Sequence, residues 1–104
     1  MYDHAVRASG EQVATTGIAW VANAYAQGDR FTREQAMQAI QQELRAWRVQ
    51  PDRTGEVLSS AATGYVDSAA LRANVALQLL VDAGADVERA RAIRAAQPPR
   101  RGSR

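Results

Sequence analysis

The chain has no cysteine and no lysine, only three prolines, and a single histidine, His4. Without cysteine there is neither a disulfide framework nor thiolate chemistry, which fits a reducing, cytoplasmic setting. One histidine and no cysteine exclude a His/Cys metal site and leave a Ser/His nucleophile arrangement without support. Aromatic residues are 6% of the chain, and apolar residues never alternate with a period of two over a strand length, so nothing argues for a sheet. Long apolar runs are missing too. The longest uncharged stretch, 12–28, contains Thr15, Thr16, Asn23 and Gln27 and is shorter than the roughly 20 apolar residues of a membrane span. The opening Met1-Tyr2-Asp3-His4 lacks the charged and apolar regions of a signal peptide. No glycine-rich phosphate loop occurs, because Gly10 and Gly17 lie on or at the edge of a helix.

What is present is alanine, glutamine and arginine. Hydrophobic residues make up 46% of the 104 positions, with alanine prominent among them, so the expected fold is all-α around one thin core. The expected organisation is a single helical domain over 1–97, a small bundle of four or five short helices, followed by a basic C-terminal tail over 98–104.

Local signals place the helices. Ser9 with Gln12 forms a capping-box pattern for a first helix over 11–27, with a start at Asp3 as the alternative and Gly28 as its stop. Val13, Ala14, Gly17, Ile18, Trp20, Val21, Ala22, Ala24 and Tyr25 share one broad apolar arc of that helix, which predicts burial of most of it. Thr32 with Gln35 makes a second capping box, with Phe31 and Ala36 at the positions of a hydrophobic staple. Met37, Ile40, Leu44 and Trp47 then form an apolar stripe ended before Pro51. A third helix over 53–64 is weakened by Gly55 and Gly64. A fourth, capped at Asp67 or Ser68 and stopped by Gly84, is apolar nearly all round, which predicts that it forms the centre of the bundle. Asp86 caps a short fifth helix that ends before Pro98.

Charge is unevenly distributed. Positions 1–86 hold seven arginines and ten acidic residues, a net of minus three, while 87–104 hold six arginines and Glu88 alone, a net of plus five. Arg89, Arg91, Arg94, Arg100, Arg101 and Arg104 are therefore the candidate contacts to a polyanion such as nucleic acid. The segment 79–94 also fits a helix-turn-helix, with Gly84 at the turn and the arginines of the second helix away from its inward positions Ala90 and Ile93, so a DNA-binding regulator is the competing reading. Against it, Leu80 stands where such motifs carry a small residue. The stretch 79–87 is similar to the end of the second helix of an ankyrin repeat. No Thr-Pro-Leu-His opening precedes it and no copy lies about 33 residues away, so no array and no residue role follows.

Asp82 and Asp86 flank Gly84 and form the one carboxylate pair to weigh for acid–base work, but a helix cap and a last-turn residue explain both. The reading is therefore non-enzymatic, without cofactor, small-molecule substrate or membrane. Gln35, Gln38, Gln41 and Gln42 give the second helix a neutral amide face where Glu and Lys are usual. Amides bury against another chain without the desolvation cost of charges, so these residues are the candidate interface with a protein partner or a second copy. Asn74 and Gln78, one turn apart, allow a bond to each other or across an interface.

Overall fold

The computed structural model describes the backbone of residues 2–28, 30–67 and 71–97, and side chains within 9–28, 30–67 and 74–97. The described residues are helical throughout apart from turns and short connections: α1 (Tyr2–Gln27), α2 (Arg33–Ala46), a 3-10 turn (Pro51–Arg53), α3 (Thr54–Ala61), a second 3-10 turn (Ala62–Gly64), α4 (Leu71–Ala83) and α5 (Val87–Ala96). The expected all-α bundle is what forms, and the tail 98–104 lies outside the described residues.

The centre of the bundle is α1, not α4. At 26 residues α1 is long enough to back α2, α3 and α4 together. Ala14, Ile18, Val21 and Ala22 recur at helical spacing along its buried side, and the alanines let neighbouring helices approach closely. Among the described side chains of α4, Ala76, Leu79 and Leu80 are buried, Leu77 is half-buried, Val75 is exposed, and Asn74, Gln78 and Asp82 face out. An apolar circumference was a property of α4 alone, whereas centrality depends on which helix the others can reach. The start of α1 also differs from the capping-box expectation. Ser9 lies inside the helix, because nothing between Tyr2 and Ala8 breaks it and a Ser-x-x-Gln spacing is compatible with a helix interior.

The α4 cap expected at Asp67 or Ser68 falls at the edge of 68–70, which lie outside the described residues, while three other local signals act as read. Thr32 N–H donates to Gln35 Oε1 (3.0 Å) and Gln35 N–H to Thr32 Oγ1 (3.1 Å), which closes the α2 capping box. Phe31 and buried Ala36 both pack in the core. The α2 helix ends through Arg48 at φ 54, a left-handed residue, with Val49 N–H bonded to Leu44 C=O (2.9 Å). At the far corner Gly84 takes φ 128, and the N–H groups of Gly84 and Ala85 both close on Leu80 C=O. Space reinforces the glycine there, since a Cβ on Gly84 would stand 3.2 Å from Leu58 Cδ1. Asp86 caps α5 by accepting from the N–H groups of Glu88 (2.9 Å) and Arg89 (3.2 Å).

Candidate interaction surfaces

Two surfaces carry the residues singled out in the sequence. The first is the side formed by α3 and α5. Ser59, the only polar residue buried among those described, accepts the Asp86 N–H at 2.9 Å and so ties the α4–α5 corner to α3. From that corner α5 runs back over α3 and the second 3-10 turn, burying Ala90.

The α5 arginines all close on the same chain. Arg89 Nε and Nη2 donate to the two oxygens of Glu56, both at 2.8 Å. Arg91 meets Glu88 at 3.3 Å. Arg94 donates to Thr63 C=O (3.1 Å) and lies 3.3 Å from Asp67. A second bidentate pair, Arg53 with Glu11 (3.0 and 3.1 Å), joins the first 3-10 turn to α1. The hydrogen bonds from Arg89 hold the Glu56 carboxyl below its ordinary range and raise the Arg89 guanidinium in return. Arg89, Arg91 and Arg94 thus meet carboxylates and a carbonyl of their own fold, and α5 packs on α3 and the second 3-10 turn. Arg100, Arg101 and Arg104 lie outside the described residues.

The second surface is the trough between α1 and α2. Of the α2 amides, Gln42 lines it; Gln38 and Gln41 are exposed on the same helix, and the exposed Gln35 side chain serves the helix cap. Sequence reading missed the apolar content beside these amides. Trp20 is 54%, Trp47 44% and Val13 42% exposed, although periodicity had put all three on the buried arcs of their helices. The arc of α1 is wider than the contact it makes, so its flank is left uncovered.

The trough has two ends. Toward one, Trp20 meets Phe31 edge-to-face with ring centres 6.2 Å apart, and the Arg30 guanidinium stands 5.8 Å from the Trp20 ring centre. Toward the other, Val13, Thr16 and Trp47 line the wall. Glu43 lies between them on the floor, half-buried, against Gly17. A Cβ on Gly17 would strike the Glu43 carboxylate, whose carbon is 2.7 Å from that position. Trp47 Nε1 donates to Glu43 Oε1 at 3.1 Å, and among the described residues no arginine comes within ion-pair distance of this carboxylate.

The Asp82–Asp86 pair has separate duties: Asp82 binds Arg33 and Gln78, each at 2.8 Å, while Asp86 is the α5 cap. The arginine and the amide hold the Asp82 carboxyl below its ordinary range. Gln78 therefore bonds Asp82 rather than Asn74, which is exposed. Among the described residues no group of three His, Cys, Asp or Glu is placed to hold a metal ion, and no helix is long and apolar enough to cross a membrane. No family model matches the chain, and neither a curated protein nor a solved structure gives a significant match.

Proposed function

We propose that this chain is a non-enzymatic helical interaction module that assembles with a second copy through the α1–α2 trough. The observation that carries this reading is the placement of Trp20, Trp47 and Val13, all more than 40% exposed, along a trough whose α2 edge carries the uncharged Gln42, with Gln38 and Gln41 also exposed on that helix. Aromatic anchors with a polar, charge-poor border have the composition of an interface centre, where tryptophan is enriched and charge is depleted. Sedimentation or light scattering over a range of concentrations tests it. The mass should rise with concentration, and Q38E combined with Q42E should hold the chain monomeric by placing unpaired charge in the contact. A parent chain that is monomeric at high concentration removes the reading.

A basic arm contacting a polyanion belongs to the same proposal, supported by the three arginines of 98–104 and the absence of any acidic residue there. The helix-turn-helix alternative needs Arg89, Arg91 and Arg94 as well, and each would first have to leave its intramolecular partner. Binding of a mixed-sequence duplex should weaken with salt by a slope of about −0.9 per phosphate neutralised. Loss of binding in R100S/R101S/R104S assigns the contact to the arm. Retention of sequence preference in that variant favours the α5 arginines.

A further inference from the structure

We propose that the arginine-rich arm 98–104 of the same chain folds back into the Val13–Trp47 end of the α1–α2 trough and sets an arginine against Glu43. The proposal rests on the reading of the trough as an interaction surface and adds its occupant in the free chain. Three observations carry it.

The first is the state of Glu43. It is a half-buried carboxylate on an apolar floor, its hydrogen bond comes from an indole N–H, and no described arginine pairs with it. A guanidinium is the partner that a carboxylate accepts in charge-assisted, bidentate geometry. The other half-buried glutamates, Glu11 and Glu56, each hold a bidentate arginine.

The second is where the described chain stops. Gln97 and Gln12 line the same surface hollow, and Gln12 also lines the trough with Val13, Glu43 and Trp47. The arm thus starts on the flank of α1, and the trough opens on the other side of that helix. Crossing it requires about one helix diameter, roughly 10–12 Å. The four residues to Arg101 span at most about 14 Å when extended, and the arginine side chain adds further reach.

The third is the composition of the arm, Pro98-Pro99-Arg100-Arg101-Gly102-Ser103-Arg104. Adjacent prolines favour an extended conformation with little entropy to lose, and such segments dock in aromatic-lined grooves. Trp47 and Val13 offer that wall just before Glu43. Trp20 at the other end already carries the Arg30 guanidinium, so the Val13–Trp47 end is the open one.

Carbodiimide coupling tests the contact directly, because it joins a carboxylate only to an amine that touches it. The chain contains no lysine, so R100K or R101K introduces its one side-chain amine. The expected product is a monomer in which that amine is joined to Glu43, located by mass spectrometry after proteolysis and absent in the E43Q background. Coupling to Glu43 found only in covalent dimers would overturn the proposal in favour of the arm of a second copy. Coupling at other carboxylates alone, or at none, would overturn it outright. As a second readout on the intact fold, acrylamide quenching of tryptophan should rise in R100S/R101S/R104S and in E43Q, and rise no further when the two are combined. Unchanged quenching overturns the proposal. Concentration-dependent mass of the parent reports separately on self-association, so a failed arm contact and a failed interface give different results.

Discussion

On the α3–α5 side of the molecule, Arg53, Arg89, Arg91 and Arg94 each meet a carboxylate of the same chain, and the buried polar Ser59 has its partner. On the α1–α2 side, Trp20, Trp47 and Val13 face outward, Gln38, Gln41 and Gln42 are exposed, and Glu43 has an indole but, among the described residues, no cation. One side is closed on itself and the other is left, among the described residues, with surplus apolar surface and a carboxylate without a cation. The difference teaches where function is to be sought. A net basic segment draws attention by its charge, yet paired arginines are already committed to the fold. The surface proposed for binding is the one whose groups lack partners among the described residues.

The core that both sides share sets the largest expected effect. Leu80 is fully buried beneath the α4–α5 corner, so Leu80→Ala should cost about 2–5 kcal/mol through lost burial and the cavity left behind. Leu77, half-buried on the same helix, should cost clearly less when cut to alanine. Thermal or denaturant unfolding of the two variants checks the order, and equal losses would put the edge of the core in the wrong place.

Next in size is the polar pin of the closed side. Ser59→Ala leaves the Asp86 N–H without its acceptor in a site the side chain had filled completely, an expected loss of about 1–3 kcal/mol. The comparison predicts that denaturant stability falls while self-association through α1 and α2 is retained once the variant is folded. A variant that loses association at full stability would show that the two sides are not independent.

Gly17→Ala makes the opposite separation. Alanine in a helix interior is favoured over glycine by about 1 kcal/mol, but the added methyl displaces the Glu43 carboxylate and with it the Trp47 hydrogen bond. The expected outcome is a melting temperature close to or above that of the parent, together with weakened self-association in light scattering. Association at parental strength would mean that the trough floor takes no part in the contact.

These cases also mark what was legible in the sequence. The all-α class, the Thr32–Gln35 box, the Asp86 cap and the Gly84 stop were readable because each depends on residues within one turn of one another. The central role of α1 was not, because the apolar circumference of α4 says nothing about which helix its neighbours reach. Nor was the exposure of Trp20 and Trp47. Helical periodicity gives the width of an apolar arc but not the part of it that a partner helix covers. Gly17 meeting Glu43, and Ser59 meeting Asp86, join residues distant in sequence through tertiary packing. Of the α2 amides singled out in the sequence Gln42 lines the trough, while the aromatic content beside it lay unread.

The smallest expected effect is electrostatic and belongs to the closed side. The Arg89 hydrogen bonds hold Glu56 below its ordinary range, so the folded chain keeps this carboxylate ionised at a pH where the unfolded chain has begun to protonate it. The contribution is therefore complete above the unfolded carboxyl pKa, near 4.3, and is lost as pH falls through the lower folded value. Glu56→Gln keeps the shape and removes the charge. Its destabilisation should be constant at neutral pH, diminish as the solution is acidified below about pH 4.3, and vanish once the parent Glu56 is itself protonated. Because the pair is partly exposed, solvent and salt reduce its size to about 1 kcal/mol or less. Denaturant midpoints of parent and variant at neutral pH and in acid, at low and high salt, measure both features. A difference that persists unchanged into acid would mean that Glu56 acts through packing rather than charge, and the account of the closed side would then lose its bidentate link between α3 and α5.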